Sequence, residues 1–252
     1  MMMTNKIQTV VLAGGKGSRM NTDTPKALVP LKGKPMIKHL LDAIAESGLS
    51  LRPIIVVGQK WELVTSELGP NYHYAIQTKP LGTGHAVHSA RQLAENQADH
   101  ILVLYGDHPY VSAKTIKKLT DTHIQSSCVL TIATANVPDF DDWRACFFDF
   151  GRVIRDKLDR IVKIVEKKDA TDLEKKVTEI NPAYFCFKAS WLWQHLPKIK
   201  NKNTQGEYYL TDMIGLAQKQ GHIIRSISIE PREAMGVNTI EQLLVLEQNL
   251  FF

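Results

Sequence analysis

The sequence has little cysteine, and what it has forms no framework. Its 252 residues include 3 cysteines, Cys128, Cys146 and Cys186, odd in number and widely spaced. With no Cys-x-x-Cys pair, they exclude a disulfide scaffold and a zinc ribbon and fit a reduced, cytoplasmic setting. Long apolar runs are also lacking, so no membrane span is expected. The opening residues, MMMTNKIQ, have no apolar core of the kind a secretory signal needs. A basic tract marking a nucleic-acid surface is absent. Lys plus Arg number 31 against 26 Asp plus Glu, a net charge of +5. That mild excess suits a small anionic substrate. What is present in ordinary amount is core: 44% of residues are hydrophobic, which excludes disorder. The length allows one large α/β domain or two small ones.

Strand-like runs alternate with helix-like segments, which predicts an α/β fold with a doubly wound, mostly parallel sheet. Strands are expected at Val10–Leu12, Pro53–Val57, Tyr72–Gln77, Ile101–Tyr105 and Cys128–Ala135. Helices are expected at Pro35–Gly48, Gln59–Leu68, Gly84–Glu95 and Ser112–Thr122, the last with a Ser cap. In the third of these, Ala86, Val87, Ala90 and Leu93 are predicted to face inward. Past Val137 the character shifts. Pro138–Phe150 is aromatic and acidic with no clear period, open to reading as a lid, a dimer contact or a pocket wall. Strands follow at Arg152–Arg155, Ile161–Glu166, Glu179–Lys188 and Ile223–Ile229, with helices at Ser190–Leu196, Glu207–Lys219 and Asn238–Asn249. No linker separates the halves. The reading is one domain, with a lid or subdomain from about residue 138 onward lying over the first sheet.

The chemistry-bearing stretches follow strands. VVLAGGKGSRMNTDTPKAL, Val10 to Leu28, runs from a strand into a glycine-rich turn and then to two cations, Arg19 and Lys26. Glycine lets backbone N–H groups approach a phosphate closely, and fixed positive charge serves a polyphosphate. It is neither the P-loop nor the dinucleotide fingerprint. In QTKPLGTGHA, from Gln77 to Ala86, Gln77 can offer a bidentate amide to a pyrimidine edge, or Thr83 can simply cap a helix. LVLYGDHP, from Leu102 to Pro109, puts Asp107 at the carboxyl edge of the sheet, where open α/β sheets bind ligands and a carboxylate suits Mg²⁺; a turn or cap role stays open. His108 reads as a structural hydrogen-bonder. Glu166 alone reads as one member of a solvated charge run. Asn238, with Glu241 three residues on, reads as a capping box.

Taken together, L-A-G-G-K-G-S-R-M with P-K-A-L, L-G-T-G-H-A, L-Y-G-D, N-T-Q-G-E-Y-Y-L-T-D and G-V-N resemble the sugar-1-phosphate nucleotidyltransferase family across essentially the whole chain. The pattern is nearest to its N-acetylglucosamine-1-phosphate uridylyltransferases. The resemblance implies a Rossmann-like three-layer fold, residues 1–137 holding the nucleotide and 138–252 the sugar. It implies UTP and N-acetylglucosamine-1-phosphate as substrates and Mg²⁺ as cofactor. Leu12, Ala13, Gly14, Gly15, Lys26, Gln77, Gly82 and Thr83 would hold the nucleotide, with Arg19 and Lys26 acting on its phosphates. Tyr105, Gly106, Gly151, Glu166 and Asn181 would hold the sugar, and Asp107 and Asn238 the metal. Beyond small substrates, the expected state is a monomer or small homo-oligomer.

Three departures stand out. Those uridylyltransferases continue into a left-handed β-helix carrying an acetyltransferase. This sequence ends at Phe252, so that activity and the trimer it builds are expected to be absent. Asp149-Phe150-Gly151 replaces Gly-Tyr-Gly after a longer segment, and Asn181 is followed by Pro182-Ala183 instead of Thr-Gly. Both changes fall beside the sugar residues. They leave two alternatives: another pyrimidine nucleotide or phosphorylated acceptor, or a non-catalytic nucleotide-sugar binder.

Overall fold

The computed structural model of this chain describes residues 5–15, 17, 20 and 23–248. Its first strand, β1 (Ile7–Leu12), is buried at every position. A small hairpin, β2 (Pro30–Leu31) and β3 (Lys34–Pro35), leads into α1 (Met36–Glu46), which buries Met36, Ile37, Leu40, Leu41 and Ile44 along one stripe. Gly48 ends that helix at φ +79°. Then come β4 (Ile54–Val57), α2 (Trp61–Leu68) and β5 (His73–Ile76). α3 (Thr83–Ser89) and α4 (Arg91–Ala94) precede β6 (His100–Tyr105). α5 (Ala113–Ser126) has the expected cap, Ser112 Oγ accepting from the Thr115 amide. β7 (Leu130–Asn136) follows.

The second half supplies β8 (Gly151–Arg155), β9 (Ile161–Val165), β10 (Glu179–Asn181), β11 (Phe185–Lys188), α6 (Ala189–His195), α7 (Asp212–Lys219), β12 (Arg225–Ser228) and α8 (Ile240–Gln248). All strands but β2 and β3 join one mixed sheet in the order β5-β4-β1-β6-β11-β7-β10-β8-β9, with β12 beside β7. Seven of those ten run one way; β9, β10 and β11 oppose them. The antiparallel section β10-β8-β9 extends the far end of the same sheet, and β11 lies between β6 and β7. The second half thus continues the first sheet, whereas the sequence predicts a lid or subdomain lying over it.

Helices cover both faces, giving three layers. α1, α2, α5 and Leu246 of α8 pack on one face, and α3, α4, α6 and α7 on the other. The central parallel strands are buried on both sides, which is why β4 reads IIVV without alternation. No helix among the described residues is long and apolar enough to cross a membrane.

Four local expectations need correction. The helix expected over Gly84–Glu95 breaks at Ala90, where the Ser89 hydroxyl donates to the His85 carbonyl and bends the backbone. The shifted phase buries Ala94 and leaves Leu93 exposed. The strand expected over Glu179–Lys188 is two strands. Pro182 has no N–H to donate to a ladder, and Ala183 sits at φ +65° with its amide held by Asn181 Oδ1 at 3.0 Å. The helix expected from Glu207 begins at Asp212, because the backbone before it pairs with the Leu81–Gly84 loop. The capping box expected at Asn238 and Glu241 lies one residue on. Thr239 Oγ1 accepts from the Gln242 amide, and Gln242 Oε1 accepts from the Asn238 amide at 2.6 Å. That shift releases the Asn238 side chain for another partner.

Candidate active site

Parallel pairing aligns the ends of the central strands. Leu12 lies opposite Val56 and Tyr105, and Val57 opposite Ile76. The segments that follow, Ala13–Gly15, Gln77 and Gly106-Asp107, therefore emerge on one rim. A cavity of about 230 Å³ opens there, lined by Leu12, Ala13, Gly14, Gly15, Lys26, Gln77, Gly82, Thr83, Tyr105 and Asp107. A larger concavity of about 1090 Å³, around Lys6, His100 and Trp193, sits at the other strand ends and holds none of the expected residues. The carboxyl rim is where this architecture binds ligands.

Lys26 is the centre of the rim. It is carried by a single turn of 3-10 helix, Lys26–Leu28, after Pro25. Its Nζ donates to Asp107 Oδ2 and, at 2.6 Å, to Asn238 Oδ1. One ammonium thus ties together three segments distant in sequence. Gly17, at φ +64°, lies against Lys26, where a Cβ would stand 3.3 Å from Lys26 Cβ. Burial pushes the Asp107 carboxyl upward. The Lys26 charge and hydrogen bond, with a smaller contribution from His108, overcome this and hold it below the usual carboxylate range. The second oxygen, Asp107 Oδ1, is buried without a hydrogen-bond partner among the described residues. Arg19, with Lys16 and Ser18, lies outside the described residues.

These oxygens fit a hard divalent cation. Asp107 and Asn238 present two oxygens around a spot that already holds a positive charge, the Lys26 ammonium, and one carboxylate oxygen stands unused. No group of three or more His, Cys, Asp or Glu ligands occurs among the described residues. A small ion held by one or two protein oxygens completes its shell with substrate phosphates and water.

The glycine loop is partly committed. The Ala13 amide donates to Val56 O at 2.8 Å, continuing the β1–β4 pairing, so Gly14 and Gly15 carry the amides left for a ligand. Gln77 is committed on one side only. Its Nε2 donates to Gly82 O and to His85 Nδ1, both at 3.1 Å. A carbonyl cannot donate, so the nitrogen end must face Gly82, and Oε1 is left at the Gly14 side of the cavity. The two-sided amide expected from sequence is therefore an acceptor here. His85 helps set this orientation, and its place in the first turn after L-G-T-G is the signal. Thr83 does not cap α3. Its hydroxyl accepts from the Leu210 amide at 3.0 Å and bonds the Tyr105 hydroxyl.

The remaining expected residues gather at the antiparallel end. Gly151 pairs with Asn181 across β8–β10, and a Cβ on Gly151 would overlap Ile164 and touch the Glu166 carboxylate. Gly106 points at Ile37 and Ala13, and its amide donates to Leu12 O at 2.9 Å. Asn181 keeps only its amide nitrogen, since Oδ1 holds Ala183. Thr211, missed from sequence, donates to Glu166 Oε1 at 3.1 Å. The Pro138–Phe150 segment folds around Arg152 of β8. Its 3-10 turns, Asp142–Asp149, bury Phe147 and wrap the fully buried Arg152, which donates to the carbonyls of Phe147, Phe148 and Phe150 under the Phe140 ring.

Glu166 yields a pH prediction. Burial, with Asp169, Asp212 and Glu207 nearby, raises its carboxyl above the usual range despite the Thr211 hydrogen bond. Below the ordinary glutamate range both folded and unfolded chains hold the proton and nothing is lost. As pH rises toward the raised folded value, the unfolded chain releases its proton first, so stability falls, and the loss is constant above it. Glu166→Gln should therefore raise the melting temperature at pH 8 more than at pH 4. An equal shift at both pH values would contradict this charge cost.

Residues 9–211 match the MobA-like NTP transferase domain. The chain is 37% identical over 240 residues to the bifunctional protein GlmU of Brevibacillus brevis, covering 95% of this chain and 50% of that protein. It is 40% identical over 230 residues to bifunctional protein GlmU of Enterococcus faecalis, covering 91% and 48%. The chain thus spans about half the length of the curated relatives it matches. A UDP-glucose pyrophosphorylase complexed with UDP-glucose superposes with TM-score 0.76 at 16% identity, over 96% of this chain and 97% of that one. A CMP:2-keto-3-deoxy-manno-octonic acid synthetase complexed with CTP gives 0.70, also at 16% identity, over 96% and 97%. These two likenesses show the shared Rossmann-like fold. By the match over most of its length, the chain belongs to the MobA-like NTP transferase family of nucleotidyltransferases.

Proposed function

We propose that this chain transfers the uridylyl group of UTP to N-acetylglucosamine-1-phosphate, forming a nucleotide-sugar and releasing pyrophosphate. A phosphate oxygen of the sugar ester attacks the α-phosphorus, and the bond to the β-phosphate oxygen breaks. The attacking oxygen is already ionised at neutral pH, so no general base is required. The obstacle is repulsion between anions, and the chain answers it by positioning and fixed charge. Lys26 exchanges Asp107 for the phosphates, and the Gly14 and Gly15 amides cradle them. Asp107 and Asn238 would hold Mg²⁺, which supplies charge neutralisation between the two phosphate esters. Arg19 is assigned to the phosphates by resemblance to the family. Tyr105, Gly106, Gly151, Glu166 and the Asn181 amide are assigned to the sugar. The observation that carries this reading is Lys26 bridging Asp107 and Asn238 at the mouth of the glycine loop.

The base preference follows from Gln77. An acceptor at Oε1 takes the ring N3–H of uracil or thymine, whereas N3 of cytosine has no hydrogen to give. Gln77→Ala should raise the UTP KM by roughly 10- to 100-fold with a smaller change in kcat, and narrow the preference for UTP over CTP. A panel of triphosphates against several sugar-1-phosphates, scored by pyrophosphate release, tests the whole reading. Turnover confined to ATP or GTP would reject the base argument. Tight UDP-sugar binding with no turnover on any pair would favour the non-catalytic alternative. Turnover of UTP with a different sugar would move the acceptor alone, and the engaged Asn181 Oδ1 is where that divergence would originate.

A further inference from the structure

A hollow of about 540 Å³ lies between α7, β9 and the segment Lys198–Lys200. None of the residues assigned to the nucleotide, the sugar or the metal lines it. α7 turns one face to it, with Asp212, Gly215, Leu216 and Lys219 at three- and four-residue spacing. Ile164, Ile199 and Leu216 supply apolar wall, and Lys163, Lys198, Lys200 and Lys219 supply charge. Lys163 is engaged by Glu174 at 2.5 Å. Asp212 sits on the same face as Lys219 and offsets its charge. Lys198 and Lys200 are exposed, and their ammonium groups meet no partner among the described residues. Four lysines against Glu174 and Asp212 leave an excess of two positive charges. A phosphate monoester, whose second ionisation falls near pH 6, brings about two negative charges at neutral pH. Its organic part would meet the apolar wall.

The hollow is kept open by Gly215. That glycine lies inside α7, where it weakens the helix relative to alanine. No close packing accounts for it, since a Cβ there would meet no atom of a neighbouring element within 4 Å. The walls lead to both substrate sides. Thr211, at the start of α7, lines the hollow and donates its hydroxyl to Glu166 Oε1 at 3.1 Å. Ile199 Cδ1 would stand 2.4 Å from a Cβ on Gly84 in the L-G-T-G-H-A loop. Unfilled, the hollow gathers like charges from the Lys198–Lys200 segment and from α7, which repel. A dianion between them replaces repulsion by attraction and draws the segment, α7 and β9 together.

We infer that this hollow is a second ligand site, which takes an organic phosphate monoester and, when filled, tightens the acceptor side through Thr211 and Glu166. The ligand touches no reacting atom. It neutralises Lys198 and Lys200, and α7 then holds the Thr211–Glu166 hydrogen bond more firmly. The effect on the acceptor rests on the assignment of Glu166 to the sugar, whereas binding itself does not, and the experiment separates the two.

Phenyl phosphate is titrated into the full chain without nucleotide, and binding is read by calorimetry. Gly215→Phe fills the hollow with a ring, while Gly215→Ala leaves it room. Affinity should fall at least tenfold in Gly215→Phe and in the double variant Lys198→Gln/Lys200→Gln, and stay within about twofold in Gly215→Ala. Inorganic phosphate, which lacks the apolar part, should bind about tenfold more weakly than phenyl phosphate. In turnover assays phenyl phosphate should lower the KM for the sugar phosphate at least threefold in wild type and leave it unchanged in Gly215→Phe. Without phenyl phosphate, Gly215→Phe should match wild type in kcat and KM. Wild-type affinity in Gly215→Phe or in the double variant would overturn the site. Equal affinity for inorganic phosphate would overturn the ester assignment. A raised KM would mean competition in the acceptor pocket and overturn the effector role. Glu166→Gln tests the underlying reading: an unchanged sugar-phosphate KM in that variant removes Glu166 from the acceptor, while phenyl phosphate binding still stands or falls on Gly215→Phe.

Discussion

Lys26→Ala should lower pyrophosphate release by about 1000-fold at saturating substrate, while the variant binds a divalent cation more tightly than wild type. The first effect follows from charge. Removing one fixed donor to a developing oxyanion in a water-poor site costs about 10²–10³ in turnover, and Lys26 is 11% exposed at its side chain. The second effect follows from the contacts of Lys26 in the absence of substrate. Its ammonium engages Asp107 Oδ2 and Asn238 Oδ1, the oxygens assigned to the ion. Wild type must break that ion pair before both oxygens are available. The alanine variant has no ammonium to displace, and leaves a buried Asp107 carboxylate without its counter-charge. Added Mg²⁺ should therefore raise the melting temperature of Lys26→Ala by more than it raises that of wild type. Turnover within tenfold of wild type would remove Lys26 from the chemistry. A smaller Mg²⁺ shift in the variant would place the ion elsewhere.

Much of this site is readable in the sequence because it hangs on buried parallel strands. Val10–Leu12, Ile54–Val57 and Ile101–Tyr105 announce themselves as apolar runs, and the residues just after such runs fall on one rim. What the sequence conceals is set by pairing at a distance. Asp212, not Glu207, starts α7 because Tyr208 and Leu210 are held by Leu81 and Thr83, more than a hundred residues earlier. Nothing local to N-T-Q-G-E-Y-Y-L-T-D forbids a helix. The half-commitment of Gln77 depends on the Gly82 carbonyl, and His108 Nδ1 meets the hydroxyl of a tyrosine 76 residues away. Side-chain identity was legible; which atom of the side chain is left for a ligand was not. The capping box at Asn238 erred by one residue for a related reason. Thr239 and Gln242 satisfy the helix start equally well, and only the position of Lys26 decides that Asn238 turns inward.

Gly82→Ala should damage both substrate sides at once, although Gly82 lies only on the nucleotide side. Gly82 has φ +105° and ψ 175°, a region open essentially to glycine alone. A Cβ there would stand 2.7 Å from Tyr208 O, 2.8 Å from Tyr208 N and 2.9 Å from Glu207 Cβ. Two of those atoms are backbone, so no rotamer change relieves the overlap. The backbone strain and the overlap together cost roughly 3–5 kcal/mol, a large part of the 5–15 kcal/mol that holds an ordinary domain together. The cheapest relief is to separate the Leu81–Gly84 loop from Glu207–Leu210. That breaks the Tyr208 N–Leu81 O and Gly84 N–Tyr208 O hydrogen bonds and frees Leu210 from Thr83. On one side, Gln77 Nε2 loses its Gly82 partner, so the base acceptor is no longer oriented. On the other, Thr211 follows Leu210 directly, and its bond to Glu166 Oε1 shifts with it. The expected result is a folded but less stable protein in which KM rises at least tenfold for both UTP and the sugar phosphate. Ile76→Ala, at an exposed position on the same rim, should move neither. If Gly82→Ala raised only the UTP KM, the loop pairing would be a nucleotide feature, and the acceptor pocket would stand on β8, β9 and β10 without it.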